Sequence, residues 1–293
     1  MVQATLRTYG KGEAMRVNDL IFDVGLHKGE DTEFYLKKGF RVVAFEANPE
    51  LVAFCTDRFA RDIDAGRLTI EAGAVVNDPS VANVKFYTNP DKSVWGTVAE
   101  DWVDRNAHLG TSSAVIEVPA VDFAAALRRH GVPYYMKIDI EGMDRVCLQS
   151  LKHVQDRPAY VSIESEKVDR SQLVEEIALM EELGYHDFQA VQQFGIQKRR
   201  EPDPAREGVL AHHSFAEGAS GLFGRDLPDH WVSRDALLDE YDGIFERYRK
   251  MGDESWLRRN AVTRVALKAL ERLTGTPLPG WYDTHARHES VSV

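Results

Sequence analysis

The chain has 293 residues, 43% of them apolar, with a net charge of −11, enough for one large domain or a domain with an extension. That charge speaks against nucleic acid as a partner, because phosphate binding needs clustered Lys and Arg. Two cysteines form neither a disulfide framework nor a ligand cluster, no apolar run reaches the roughly 20 residues of a membrane span, and the polar start lacks a signal-peptide core. The expectation is a soluble, cytoplasmic protein.

In chain order, Leu20–Phe22 is a short apolar run that ends at Asp23, with Gly25 and Gly29 following. Glu30–Lys38 carries Phe34, Tyr35 and Leu36 among charges, and Gly39 stands where a helix C-cap would. Arg41–Phe45 is a second strand-like run, ending on Glu46. Strand, glycine turn, helix and strand, with an acid at each strand tip, make half of a nucleoside-binding βαβ unit. A diphosphate needs the positive helix N-terminus, and here Glu30 and Asp31 occupy that turn and repel it. A ribose-bearing ligand with positive charge suits Asp23, Glu30, Asp31 and Glu46 better, and S-adenosylmethionine is such a ligand. A nicotinamide-dependent oxidoreductase is the competing enzyme class, disfavoured by the same two acids. A non-catalytic protein that only binds a partner is the competing non-enzyme class.

Asn48 and Pro49 start a helix in which Leu51, Phe54, Cys55 and Phe59 share a face, so Cys55 reads as a core residue. Arg67–Ala74 reads as the third strand, with Gly73 and Ala74 leaving room at its tip beside an adenine. Asn83–Thr88 and Ala114–Val118 read as strands beside the main sheet, separated by a polar stretch, Asn89–Ser113. In Tyr134–Asp144 an apolar strand runs into Asp139, Glu141 and Gly142. Alternation gives Lys137, Asp139 and Glu141 one direction, at the exposed carboxyl end where open α/β sheets bind ligands. Ala159–Glu166 repeats the pattern with Glu164 and Glu166; the four acids Asp139, Glu141, Glu164 and Glu166 suit Mg²⁺ or Ca²⁺ by ligand type, and the reading adopted is without a metal. Asp169 caps the next helix, carrying Leu173, Ile177 and Met180, and Gly184 stops it. Tyr185–Val191 and Gln193–Lys198 read as two closing antiparallel strands.

Residues 201–232 lose this periodicity. His212–Trp231 mixes Gly218, Gly221 and Gly224 with Phe215, Phe223 and Trp231, which fits a lid over the strand ends that selects the acceptor, or a structural strap. From Ser233 the chain reads as helical, first with Leu237, Tyr241, Ile244, Phe245 and Tyr248, then with Leu257, Ala261, Val265, Ala269 and Leu273. The second helix sets Arg258, Arg259, Arg264, Lys268 and Arg272 against Glu271 alone. The simplest reading of that basic face is a solvated surface, or one packed on the acidic body; a membrane surface or another anionic partner is the second.

Together, Phe22-Asp23-Val24-Gly25 with Gly29, the turn Phe45-Glu46-Ala47-Asn48-Pro49, and Lys137-Ile138-Asp139-Ile140-Glu141-Gly142 resemble the FkbM-type family of class I S-adenosylmethionine-dependent methyltransferases over roughly Asp19 to Arg200. The resemblance implies a Rossmann-like doubly wound sheet, mostly parallel with the last strand antiparallel, over residues 1–200. A loop at 201–232 and a C-terminal extension at 233–293 follow it. It also implies O-methylation of a hydroxyl on a small molecule, sugar or glycan. By that match Glu46 holds the ribose, Asp23, Gly25 and Gly29 shape the methionine pocket, and the Gly73–Val75 tip, with Ala74 and Val75, borders the adenine. His27 joins the cofactor residues, although family members often carry Ala-Asn where this chain has Leu26-His27. Asp139 and Glu141 lie near the sulfonium and the acceptor, and the candidate bases are Asp139, Glu141, His27 and, from the loop, His212 or His213.

Overall fold

The computed structural model describes residues 14–78, 80–88, 114–140, 142–165, 169–251, 263 and 281–291. The chain divides into two compact units, Met1–Val161 and Ser162–Val293. Among the described residues seven strands form the main sheet, in the order β3 (Leu68–Ala72), β2 (Arg41–Glu46), β1 (Arg16–Val24), β7 (Val132–Ile138), β8 (Tyr160–Glu164), β10 (Tyr282–His288) and β9 (Tyr185–Gln192), and β8 runs across the division. The fold is mixed α/β, mostly parallel, with an antiparallel pair among the last strands.

In the first unit, β1 (Arg16–Val24), β2 (Arg41–Glu46), β3 (Leu68–Ala72) and β7 (Val132–Ile138) are parallel neighbours. Parallel strands are covered on both faces, so they read as continuous apolar runs. Accordingly, all five residues of Leu20–Val24 are buried, as are Val42–Glu46. Phe22, Phe45 and Phe123 pack as one aromatic cluster, with ring centroids 5.1 to 6.0 Å apart. The chain begins at the sheet's middle, moves outward through β2 and β3, and returns on the other side of β1 as β7. The order therefore reverses between β1 and β7, the point where open α/β sheets form a crevice.

The helices follow local chemistry. Helix α1 (Glu30–Lys37) buries Asp31, Thr32, Phe34 and Tyr35. Helix α2 (Pro49–Arg58) starts where the Asn48 side chain accepts the Glu50 amide at 3.0 Å, with Pro49 in the first turn, and buries Leu51 and Cys55. A short α3 (Ala60–Asp64) leads into β3. The third strand is shorter than the run Arg67–Ala74 suggests. At Gly73 (φ +146°) the chain turns off, and β4 (Ala74–Val75) joins β6 (Ala114–Val121) and β5 (Asn83–Thr88) in a second sheet of order β4-β6-β5. A Cβ at Gly73 would sit 2.5 Å from the Pro119 carbonyl oxygen, so only glycine lets the two sheets meet there. The unit is completed by α4 (Phe123–His130) and α5 (Asp144–Ser150).

In the second unit, α6 (Arg170–Glu182) is capped by Asp169, whose carboxylate accepts the Ser171 amide at 2.8 Å, and buries Leu173, Ile177 and Met180. Strand β9 (Tyr185–Gln192) is followed by a single 3₁₀ turn at Ile196–Lys198, not by the closing strand expected at Gln193–Lys198. That role belongs to β10 (Tyr282–His288), antiparallel to β9, so the C-terminal section is helical at α7 (Arg234–Met251) and returns to the sheet at its end. The second C-terminal helix and its basic face, apart from Thr263, lie outside the described residues, as does Asn89–Ser113. Buried hydroxyls join α7 and β10: Tyr241 meets Ser165 and Thr284, the latter at 2.7 Å.

The segment 201–232 has little regular structure, yet it is tightly knit. Phe215, Leu222, Phe223 and Leu227 are buried, and Phe223 is fully covered. Val232 bridges Phe188 of β9, the Gln189 amide donates to the Pro228 carbonyl at 2.9 Å, and Trp231 lies beneath the Arg287 guanidinium, 5.0 Å from it. Within its own unit this segment is fastened to β9 and β10. Among the described residues no helix is long and apolar enough to cross a membrane.

Candidate functional site

The parallel register sets Asp23 of β1 beside Lys137 of β7, so the two side chains share a face. Lys137 is 4% exposed. Its Nζ donates to the Gly25 carbonyl at 2.9 Å and stands 3.4 Å from Asp23 Oδ1, 3.6 Å from Asp139 Oδ2 and 3.7 Å from Asp31 Oδ2. Thr32 donates to the other Asp23 oxygen at 2.6 Å. Burial raises the Asp23 pKa, while the Lys137 ammonium and the Thr32 hydroxyl act against that rise. Among the described residues one cation thus serves three carboxylates, and the cluster keeps a negative balance.

Two expectations are corrected here. Lys137 does not share the exposed strand end with Asp139: it is buried, while the Asp139 side chain is 40% exposed. Asp31 is not offered to a ligand either; it is 4% exposed and faces Lys137. Glu141 lies outside the described residues, as does Glu166. The loop after β7 is tied by Asp144, which accepts the Ile140 amide at 3.0 Å and the Gly142 amide at 3.2 Å.

At the tip of β2, Glu46 is 9% exposed, and its two oxygens accept the His27 amide at 2.9 Å and the Asn48 amide at 2.8 Å. Burial raises its pKa, and these backbone donors oppose the rise. Each oxygen retains a lone pair for a ribose hydroxyl. His27 holds a left-handed φ of 50°, with Nδ1 3.2 Å from Glu30 Oε1. Burial works to raise the Glu30 pKa, but the His27 hydrogen bond and backbone donors leave it lowered. Glu30 also accepts the Lys28 amide at 3.1 Å, so a carboxylate fills the start of α1, where a diphosphate would need to sit. Cys55 donates to the His27 carbonyl at 3.3 Å, and burial pushes its thiol up to about 12, as befits an inert core residue.

The glycines brace protein against protein. Gly25 has φ +97°, and a Cβ there would overlap the Asp139 carbonyl oxygen. The β1 and β7 tips can approach this closely only without a side chain. Gly29 is the N-cap of α1, against the Phe59 ring. Ala74 and Val75 are both buried, Ala74 in the core of the second sheet with Phe86 and Val118. The space that Gly73 leaves is taken by Pro119, not kept open for a base. In the second unit His213 is 7% exposed, its ring edge-on to Phe215 at 5.1 Å and its amide donated to Glu201 Oε1 at 3.1 Å, whereas His212 is exposed.

Lys137 as a hub, Thr32 and Asp144 are the residues that sequence reasoning missed. Asp144 had a signal: an acid opening a helix just after a glycine. The described residues hold no group of three His, Cys, Asp or Glu side chains suited to a metal ion; among Asp23, Asp31 and Asp139 the cation is the protein's own ammonium. The donor set fits S-adenosylmethionine: a carboxylate at the second strand tip for the ribose, and a net negative cluster for a cationic methionine end.

Residues 23–186, more than half of the chain, match the Methyltransferase FkbM domain. Among solved structures, a methyltransferase FkbM from Methylobacillus flagellatus KT is 16% identical with a TM-score of 0.36, over 60% of this chain and 41% of that one. A precorrin-6y C5,15-methyltransferase from Geobacter metallireducens GS-15 is 12% identical, TM-score 0.33, over 63% of this chain and 70% of that one. A methyltransferase from Geobacter sulfurreducens, in complex with S-adenosyl-L-homocysteine, is 11% identical, TM-score 0.34, over 95% and 86%. Likenesses this distant carry no argument about function, and no curated protein matches. On the domain match, the chain belongs to the FkbM methyltransferase family of S-adenosylmethionine-dependent enzymes.

Proposed function

We propose that this chain methylates a hydroxyl of a small molecule, sugar or glycan. The observation that supports this most is the half-exposed Asp139 carboxylate at the switch point between β1 and β7, beside the buried acids Asp23 and Asp31 that share the Lys137 ammonium. Glu46 takes the ribose hydroxyls. Asp23, Gly25, His27 and Gly29 shape the methionine end, and the Ala74–Val75 stretch borders the adenine. S-adenosylmethionine supplies an activated methyl group. The protein's task is then to align the acceptor oxygen and take its proton, and positioning supplies most of the acceleration. Asp139 and Glu141 are the first candidates for the proton, Asp139 because its half-exposed carboxylate at a strand end is open to an acceptor, and Glu141 by the family resemblance. His213 is the second, carried by the 201–232 loop. The basic C-terminal segment remains a candidate contact for an anionic partner, and the cytoplasm is the expected compartment.

A screen of hydroxyl-bearing acceptors with labelled S-adenosylmethionine tests the assignment. Transfer to an alcohol, lowered in kcat more than in cofactor affinity by Asp139→Asn and Glu141→Gln, supports it. Transfer only to amines or carbon acceptors overturns it.

A further inference from the structure

We propose that Lys137 is a positioning residue of the cofactor site, a buried ammonium that holds the β1 loop, the first turn of α1 and the β7 exit in register for the methionine end of S-adenosylmethionine. This rests on reading the β1 and β7 tips as the cofactor site. A lysine buried in a parallel strand is costly unless its charge is used. Its strand neighbours Tyr135, Met136 and Ile138 are all buried apolar residues, and a further apolar residue would continue the pattern. Instead the Lys137 ammonium gathers four groups: it donates to the Gly25 carbonyl in the loop after β1 and stands within 3.7 Å of Asp23 at the end of β1, Asp31 in α1 and Asp139 after β7. A tether of this kind fixes the loop whose Gly25 already touches the Asp139 backbone.

The charge matters as much as the tether. Three carboxylates against one ammonium leave a surplus that attracts a cationic ligand, while the lysine opposes the proton uptake that burial favours at Asp23. Among the described residues the groups facing Lys137 include Asp23, Asp31 and Asp139, with Glu30 acting at longer range; Thr32 faces Asp23, and Tyr35 lies near both Asp23 and Asp31. Asp23 shows the balance. Burial raises its pKa and the Lys137 ammonium is the largest influence holding it down. Without that ammonium Asp23 takes a proton at higher pH, and the site loses charge just where its ligand is positive.

The test is calorimetric titration of S-adenosylmethionine into the wild type and into Lys137→Met, Lys137→Gln and Lys137→Arg, from about pH 5.5 to about pH 8.5. Lys137→Met is expected to bind about ten- to a hundredfold more weakly, with affinity falling further as pH drops, while the wild-type profile stays flat. Lys137→Gln keeps a donor for the Gly25 carbonyl without the charge, and carries the test if the methionine variant does not fold: it shows the same pH limb. Lys137→Arg keeps the charge and the flat profile. Affinity within about twofold of wild type in Lys137→Gln, or an equal loss without pH dependence in all the variants, overturns the proposal and leaves Lys137 a packing residue. A wild type that fails to bind S-adenosylmethionine overturns the site assignment itself, and the role of Lys137 with it.

Discussion

Both units tie carboxylates into networks, and they use them differently. In the first, Asp23, Asp31 and Asp139 gather around one ammonium at strand ends. In the second, the acids of the 201–232 segment close a loop on its own backbone. Glu201 accepts the Ala211 and His213 amides, Glu207 accepts the Arg225 amide, and Asp226 accepts the Arg206 and Glu207 amides, all at 2.8 to 3.1 Å. An acid bonded to backbone N–H groups does the work of a missing helix or strand, satisfying donors that a buried loop would otherwise strand. Acids crowded around a single cation leave charge over, and that charge is available to a ligand. On the proposed site assignment, the partner of a carboxylate separates scaffold from site better than its burial does.

The comparison breaks most visibly if the loop is not scaffold. Phe223 is fully covered, and Phe223→Ala is expected to cost about 3–5 kcal/mol of stability. Thermal melting measures this, and S-adenosylmethionine affinity below the melting transition should be unchanged. Lost affinity without lost stability would assign the loop to the site. Asp226→Ala comes next, stranding the amides of Arg206 and Glu207 at a cost on the order of 3 kcal/mol, again read by melting.

Glu46 sharpens the contrast because it belongs to both classes, holding two backbone amides while standing at a strand tip. Glu46→Gln is expected to weaken S-adenosylmethionine binding by about 1–3 kcal/mol, with a smaller loss of stability. Calorimetry that finds unchanged affinity removes Glu46 from the ribose site and leaves it as scaffold alone.

What was legible in the sequence was local. The strand–turn–helix–strand at β1–α1–β2, the Asn48 and Asp169 caps and the helical face of α7 all follow from neighbouring residues. What was not legible depended on register and distant pairing. Strand β10, Tyr-Asp-Thr-His-Ala-Arg-His, has no apolar alternation, and it becomes a strand by pairing with β9 about a hundred residues earlier, as the Arg287–Asp187 contact shows. Charges along β7 could be seen, but that Lys137 turns inward to Asp31 follows from how β1, β7 and α1 are set against one another. Gly73 gave the same false signal, for its space belongs to a second sheet that the sequence does not announce.

The smallest effect concerns a buried polar group that the second unit keeps uncharged. His285 of β10 is 1% exposed, and burial, with a lesser push from the Arg199 charge, holds its pKa down at about 3. The unfolded chain carries an ordinary histidine near 6.5. Its folded pKa lies below the unfolded one, so as pH falls through 6.5 the unfolded state gains a proton that the native state does not, and stability drops towards pH 3. The loss is about 1.4 kcal/mol over each pH unit once well below the unfolded value. Above about pH 5 few carboxylates have begun to titrate, so the upper part of this window belongs mainly to the histidine. Urea denaturation of the wild type and of His285→Gln at about pH 7, 6 and 5 reads it. The wild type is expected to lose stability on that descent, and the variant, stable or not at pH 7, to descend less steeply. Equal slopes would mean that His285 takes its proton in the native state too, and that the second unit, like the first, admits charge to its interior.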